Sequence, residues 1–293
     1  LPMSVRDLEL VVLGSGTSAG VPVIGCGCEV CASEDPRDRR TRTSACLRFV
    51  DRSGQPRVIL LDASPDLREQ ALRHRLDRCD AIVFTHNHVD HTFGLDEVRR
   101  FNALMKASID VYAESRTMEF LHRVYQHIFR RDQNVNDSFV ATLVPQVIDG
   151  DRPLDLFGLR LTPVRMLHGR LPVLAYRVEA LDESGAIAAT QPPPLPLAYC
   201  TDVSAIPPES WPRLTELRTL VLDMLRYRKH ATHFTVDEAI AAADTIAADR
   251  TWFIHMTHDI RHADLDPRLP AGMRLAYDGL VLNGSEPAEP PTG

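Results

Sequence analysis

Residues 86–91, His86-Asn87-His88-Val89-Asp90-His91, place four side chains able to bind metal directly after the apolar run Ile82-Val83-Phe84. The run predicts the end of a buried strand. In extended backbone His86 and His88, two positions apart, point to the same side. Asp90 and His91 follow where the chain turns and can face a second ion beside the first. Imidazole with carboxylate suits Zn, Mn or Fe. The bland alternative is a polar loop that happens to hold histidines, and the density of ligands at the tail of an apolar strand argues against it.

A second constellation lies upstream. Of six cysteines, Cys26, Cys28 and Cys31 are clustered and Cys46, Cys79 and Cys200 are scattered. A disulfide framework does not suit a chain of 293 residues without a secretion signal. Cys26-x-Cys28-x-x-Cys31 predicts three thiolates closing on one ion. Tetrahedral zinc needs a fourth ligand, and a histidine from elsewhere in the chain is the expected donor.

Such ligands need strands that end along one edge. Strands are predicted at 8–13, 44–50, 57–61, 109–112, 142–148, 159–166, 173–178, 197–202, 220–223, 252–255, 273–276 and 280–282, with helices at 64–74, 94–105, 114–129 and from Thr235 onward. Ser64 before Pro65 and the pair Thr235/Glu238 supply helix-start signals. Several strands run into an acid or a histidine: Asp62, His168, Asp202, Asp223 and His255. Asp62 at a buried strand end is expected to orient metal ligands from behind them. The glycine-rich stretch 14–20 reads as a tight turn rather than a phosphate cradle. Arg37, Arg39, Arg40 and Arg42 read as a solvated face. Residues 130–139 are polar and suit a lid, and 181–196 read as an exposed loop. The pattern predicts an α/β fold of two packed sheets with helices outside and a metal cleft along one end. Residues 1–284 are expected to form one domain and 285–293 a disordered tail.

Composition narrows the function classes. Hydrophobic content of 44% and charged content of 25% are ordinary for a globular protein. The net charge of −7 argues against a protein whose task is to coat nucleic acid. No apolar run approaches the roughly 18 residues of a membrane span. The N-terminal residues lack the apolar core of a signal peptide, so a cytoplasmic location is expected.

The stretch H-x-H-x-D-H resembles the signature of the metallo-β-lactamase superfamily. The order Asp62, His86/His88/Asp90/His91, His168, Asp202, His255 is similar to that superfamily's ligand order over nearly the whole chain. The resemblance implies a four-layer αββα sandwich. Two features narrow it: the loop G-x-G-T-S-x-G-V-P followed by Gly25-Cys26-Gly27-Cys28-Glu29-Val30-Cys31, and Thr257-His258 just after His255. Both resemble the phosphoribosyl 1,2-cyclic phosphate phosphodiesterases of the phosphonate pathway. That resemblance implies a structural zinc on Cys26, Cys28, Cys31 and His258, and His233 as catalytic acid. His262 competes for the zinc and His230 for the acid. A second resemblance, carried by residues 62–70 and by Asp90-His91-Thr92-Phe93-Gly94-Leu95, is to the pyrroloquinoline quinone biosynthesis protein B family. That family has a degenerate first metal site, whereas His86 and His88 are intact here.

The implied enzyme is a dinuclear hydrolase of phosphoric diesters. His86, His88 and His168 would hold one divalent ion, Asp90, His91 and His255 the other, and Asp202 would bridge them. The ions would be Mn or Zn, roughly 3.5–4 Å apart, with a bridging hydroxide as nucleophile. The expected substrate is a small cyclic nucleotide-like or phosphoribosyl diester. Nucleic acid and membrane are not expected partners, and a homodimer is compatible with the resemblance. The rivals are a tRNA-processing nuclease, a lactonase, a thioester hydrolase and a biosynthetic accessory protein that holds metal without turnover.

Overall fold

The first strand, β1 (Arg6–Gly14), is apolar on both faces. Leu10 and Val12 face a core between two sheets, while Val11 and Leu13 face a second core under helices. A strand covered on both sides reads as a continuous apolar run for this reason. The computed structural model describes residues 5–130 and 139–285. The lid expected at 130–139 and the tail expected at 285–293 fall almost wholly outside the described residues.

The first half continues with β2 (Ser44–Val50), β3 (Pro56–Leu61), α1 (Leu67–Arg73), β4 (Ala81–Val83), α2 (Val89–Thr92), α3 (Arg99–Met105), β5 (Ile109–Ala113), α4 (Ser115–Val124), α5 (Gln126–Phe129) and β6 (Leu143–Val147). The second half has β7 (Leu154–Leu156), β8 (Leu159–His168), β9 (Leu171–Ala180), β10 (Leu197–Cys200), β11 (Thr219–Asp223), α6 (Val236–Ile246), β12 (Arg250–Ile254), α7 (His262–Leu265), β13 (Met273–Leu275) and β14 (Val281–Leu282). One sheet has the order β14-β1-β2-β3-β4-β5-β6 and the other β13-β12-β11-β10-β9-β8-β7. In each, four antiparallel strands are extended by three parallel ones. Leu67, Phe101 and Leu121 pack helices on one outer face, and Ala239, Ala243 and Ile246 pack α6 on the other. The layers are helix, sheet, sheet, helix, as the superfamily resemblance implies. Among the described residues no helix is long and apolar enough to cross a membrane.

Several local expectations are corrected. The helix expected from Ser64 begins at Leu67. The Ser64 hydroxyl instead accepts from the Asp66 amide at 3.2 Å and donates to Gln70 Oε1 at 3.0 Å. The helix expected over 94–105 opens as a 3-10 turn, Leu95–Val98, before α3. The helix expected over 114–129 breaks at Tyr125, whose hydroxyl donates to the Thr92 carbonyl at 3.0 Å. The 181–196 loop returns to the sheet: the Gln191 amide bonds both the N–H and the carbonyl of Ala180, at 2.7 and 3.0 Å, and Leu195 is buried. The arginine run is not a solvated face throughout. Arg40 is 1% exposed and donates to Asp38 and to the carbonyls of Thr257 and Ile260. A buried guanidinium is tolerated because each donor meets a carboxylate or a carbonyl. The glycine-rich stretch is the tight turn expected of it. Asp278 holds it by accepting from the Ser15 amide and hydroxyl on one oxygen and from the Thr41 amide and hydroxyl on the other.

Candidate metal centre

The site lies where strands of both sheets end. Asp62 follows β3, His86 follows β4, Asp202 follows β10 and His255 follows β12. Asp62, Asp202 and His255 have φ of 63°, 57° and 65°. Non-glycine residues rarely adopt that left-handed region, and they do so chiefly where a site over-determines the backbone.

Two groups of side chains meet there. His86, His88, His168 and Asp202 form the first; Asp90, His91, Asp202 and His255 form the second. In each group the candidate ligand atoms lie within 4.8 Å of one another. Asp202 belongs to both, one oxygen to each. Its Oδ2 lies 3.8 Å from His86 Nε2 and 3.9 Å from His168 Nε2. Its Oδ1 lies 3.0 Å from His91 Nε2 and 3.4 Å from His255 Nε2. Asp90 Oδ2 completes the second group, 3.4 Å from His91 Nε2 and 3.5 Å from His255 Nε2.

The donor set fits divalent cations. His86 Nε2, His91 Nε2 and His255 Nε2 are buried without a hydrogen-bond partner. Burial pushes the pKa of His86, His88 and His168 down, which favours neutral imidazoles with a free lone pair. Burial opposes the charge on His91 too, yet Asp202, Asp90 and Asp62 together push it well above its usual range. Three carboxylates around one buried ring call for positive charge at the second group.

A layer behind the ligands sets their orientation. Asp62 Oδ2 accepts from His91 Nδ1 at 2.7 Å, and Asp62 also accepts from the Thr85 amide and hydroxyl, each at 2.8 Å. Since the Thr85 hydroxyl donates to Asp62, its oxygen is left to accept from His86 Nδ1 at 2.9 Å. His168 Nδ1 donates to the Thr232 carbonyl at 2.7 Å. Each bond leaves Nε2 to face the cluster, the usual division of labour for a metal-bound imidazole. Thr85→Val keeps the side-chain shape and removes the relay. It is expected to weaken metal binding at the first group by about 10–100-fold, read by calorimetric titration of the metal-free protein; unchanged affinity would remove Thr85 from the account.

A third group joins the ends of the chain. His258 Nδ1 lies 3.3 Å from Cys26 Sγ, 3.5 Å from Cys28 Sγ and 3.3 Å from Cys31 Sγ. Zn–S and Zn–N bonds of about 2.3 and 2.0 Å at a tetrahedral angle separate S from N by about 3.5 Å. The backbone N–H of Cys31 points at Cys28 Sγ and draws the Cys28 thiol down to about 7, whereas burial pushes the Cys31 thiol up to about 11. Three thiolates gathered here would need a cation to balance their charge.

His233 sits beside both active-site groups. Its ring is 4.5 Å from that of His168 and stacks on that of His255 at 4.6 Å. Its Nε2 is 3.8 Å from Asp202 Oδ2, and its Nδ1 donates to Asp223 at 3.0 Å. His230 stands further out, 5.4 Å from His233, with its Nδ1 engaged by the Thr232 amide and hydroxyl. His262 is apart from the cysteine group and buried against Tyr277. Nothing in the sequence alone assigns a role to Thr85, Thr201, Asp223 or Thr232. The Thr201 hydroxyl donates to Asp202 Oδ1 at 2.6 Å. An apolar strand running into an acid, the signal that singled out Asp62, was present at Asp223 too. Beside His86 a cleft of about 600 Å³ opens between Asn87, Arg116, Arg165 and Pro172.

The comparisons with known proteins bear on the family and the fold. The family described as "Beta-lactamase superfamily domain" matches residues 57–256. A crystal structure of a diphosphatase from the PhnP family is 38% identical, has a TM-score of 0.80, and aligns over 94% of this chain and 96% of that one. Zn(2+)-bound PqqB from Methylobacterium extorquens is similar in fold, with a TM-score of 0.68 at 21% identity over 94% of this chain and 99% of that one. An octanoyltransferase of Porphyromonas gingivalis is 34% identical over 93% of this chain but only 51% of its own, so the chain spans about half the length of that relative. Both families that the motifs resemble are thus represented among the similar proteins. With ligand order, sheet topology and these matches in agreement, the chain belongs to the β-lactamase superfamily and, within it, to the PhnP family.

Proposed function

We propose that this superfamily hydrolase cleaves phosphoric diester or diphosphate bonds of small molecules, using two divalent ions in the paired groups. The observation that carries the proposal is Asp202, whose two oxygens each face a separate set of histidines with His233 alongside. Two ions so placed would supply a bound water that ionises near neutral pH and would offset charge on the phosphoryl oxygens. His86, His88 and His168 would hold one ion and Asp90, His91 and His255 the other. The PhnP-family diphosphatase supports phosphorus as the centre attacked.

His233 is the proposed general acid. Burial disfavours its charged form, but the carboxylates of Asp223, Asp202 and Asp90 outweigh burial and push its pKa up to about 9. The Asp223 carboxylate bonded to its Nδ1 favours the protonated ring and leaves Nε2 towards the two ligand groups. His230, set further out and without the contact to Asp202 that His233 makes, is the weaker candidate. His233→Ala is expected to lower kcat by about 10²–10⁴-fold on an alkyl diester. The loss should shrink with nitrophenolate, a leaving group that needs little protonation. A larger loss in His230→Ala would reverse the assignment.

The octanoyltransferase match covers only 51% of that relative's length, so the activity in its name is not carried over to this chain. The proposal is tested by assaying a chromogenic phosphodiester with Mn or Zn beside a β-lactam, a lactone and a thioester. Turnover of the phosphodiester supports it; turnover of the others alone replaces it, and no turnover of any favours a metal-holding accessory protein.

A further inference from the structure

We infer that Asp223 is a shared positioning residue, one carboxylate anchoring both the acid His233 and the metal-facing His255. The inference rests on the hydrolase reading above for the role of the acid, and on geometry alone for the rest. Asp223 is the last residue of β11 and is fully buried. β11 and β12 run parallel with Asp223 opposite Ile254, which brings the carboxylate beside His255. The chain then returns: the Leu225 amide bonds the Phe234 carbonyl at 3.0 Å, and His233 comes back over the end of its own strand.

The carboxylate is held on both sides. Its Oδ2 accepts from the Phe234 amide at 3.2 Å. Its Oδ1 faces His233 Nδ1 at 3.0 Å and His255 Nδ1 at 3.6 Å. His255 Nδ1 is buried and makes no hydrogen bond among the described residues, and the Asp223 carboxylate is the charge that faces it. The two rings lie nearly parallel, 18° apart, and one oxygen faces both Nδ1 atoms. The bond to His233, and the negative charge facing His255, each favour the proton on Nδ1. His233 is left with Nε2 towards the site where a leaving group departs, and His255 with Nε2 towards Asp90 and Asp202. One side chain thus couples the placement of the acid to the shape of the second ligand group.

Asp223→Asn tests this because it keeps size and shape while replacing the charged acceptor. Two arms are read. In the first, rates are compared on an alkyl diester and on a nitrophenyl diester with Mn. The variant should lose about 10-fold or more on the alkyl ester beyond its loss on the nitrophenyl ester. Adding Asp223→Asn to His233→Ala should then bring no further leaving-group penalty, because neighbours acting through one group are not additive. In the second arm, metal binding is titrated by calorimetry without substrate. One of the two active-site ions should weaken by about 10–100-fold, the loss typical of an outer partner of a metal ligand. Equal losses on both esters with both ions bound as before would overturn the inference. So would a further cation in the native protein that disappears in the variant, since Asp223, His233 and His255 would then be a metal site of their own. If the native chain hydrolysed neither ester, the hydrolase reading would fail, and the calorimetric arm would still decide whether Asp223 anchors His255.

Discussion

Asp202→Ala is expected to lose both turnover and at least one of the two active-site ions. Asp202 is the one side chain common to the two groups, with Oδ1 in the second and Oδ2 in the first. Its removal subtracts a ligand from each at once. It also leaves His86, His91 and His255 facing a cavity with less negative charge to balance a cation. Losing an outer partner of a metal ligand already costs about 10–100-fold in affinity or activity. A residue that touches both sites should cost more, so a fall in kcat of at least about 10³-fold is expected. The checks are steady-state kinetics and metal counted by elemental mass spectrometry. The fold should survive, because the two sheets are held by the Leu47, Ile59, Tyr176, Leu197 and Val221 core and not by the site. A variant with its full metal complement and native rate would refute the bridging role.

The second large effect is on stability. Cys28→Ser is expected to lower the melting temperature by about 10 °C or more while sparing the rate of the protein that remains folded. Four ligands in a closed set would leave no open position for a reacting water, so an ion held there would be structural rather than catalytic. The set spans the chain: the cysteine loop follows β1, and His258 lies three residues after His255. Around it, Met256 exchanges backbone bonds with Ser15 and Thr17, and Arg40 reaches the Thr257 and Ile260 carbonyls. The ion would thus close a junction between the first and last thirds of the sequence. Structural zinc contributes about 10–16 kcal/mol in small domains, and each kcal/mol moves the midpoint by about 2–4 °C at 150–250 residues. Losing even a few kcal/mol therefore shows as a large shift. Calorimetry with and without a chelator reads it directly. A disulfide among Cys26, Cys28 and Cys31 in the non-reduced protein would contradict the assignment.

The site was legible to the extent that its ligands are close in sequence or end an apolar strand. The His86–His91 run announces itself because strand and turn geometry alone converge its side chains. The cysteine triplet does the same within six residues. What joins distant segments was harder. His168, Asp202 and His255 were placed by an order of ligands rather than by any spacing. Asp223 ends an apolar strand just as Asp62 does, yet only the pairing of β11 with β12 and the return at Phe234 show what it touches. Thr85 and Thr232 are ordinary residue types, and one of them acts through its backbone carbonyl. One helix breaks at Tyr125, whose hydroxyl reaches Thr92, and another opens as a 3-10 turn before α3, neither of which helical periodicity reports. Arg40 is buried because carbonyls from the far end of the chain reach it, so a count of neighbouring arginines misplaced it on the surface.

Two-ion hydrolysis is tested by metal titration of the active-site-stripped protein, its third group still loaded, with hydrolysis of a chromogenic phosphodiester read at each step. The rate should reach its plateau only when two equivalents of Mn or Zn are bound per chain, and Asp202→Ala should give a flat response. A plateau at one equivalent, or no hydrolysis at any metal load, would contradict it.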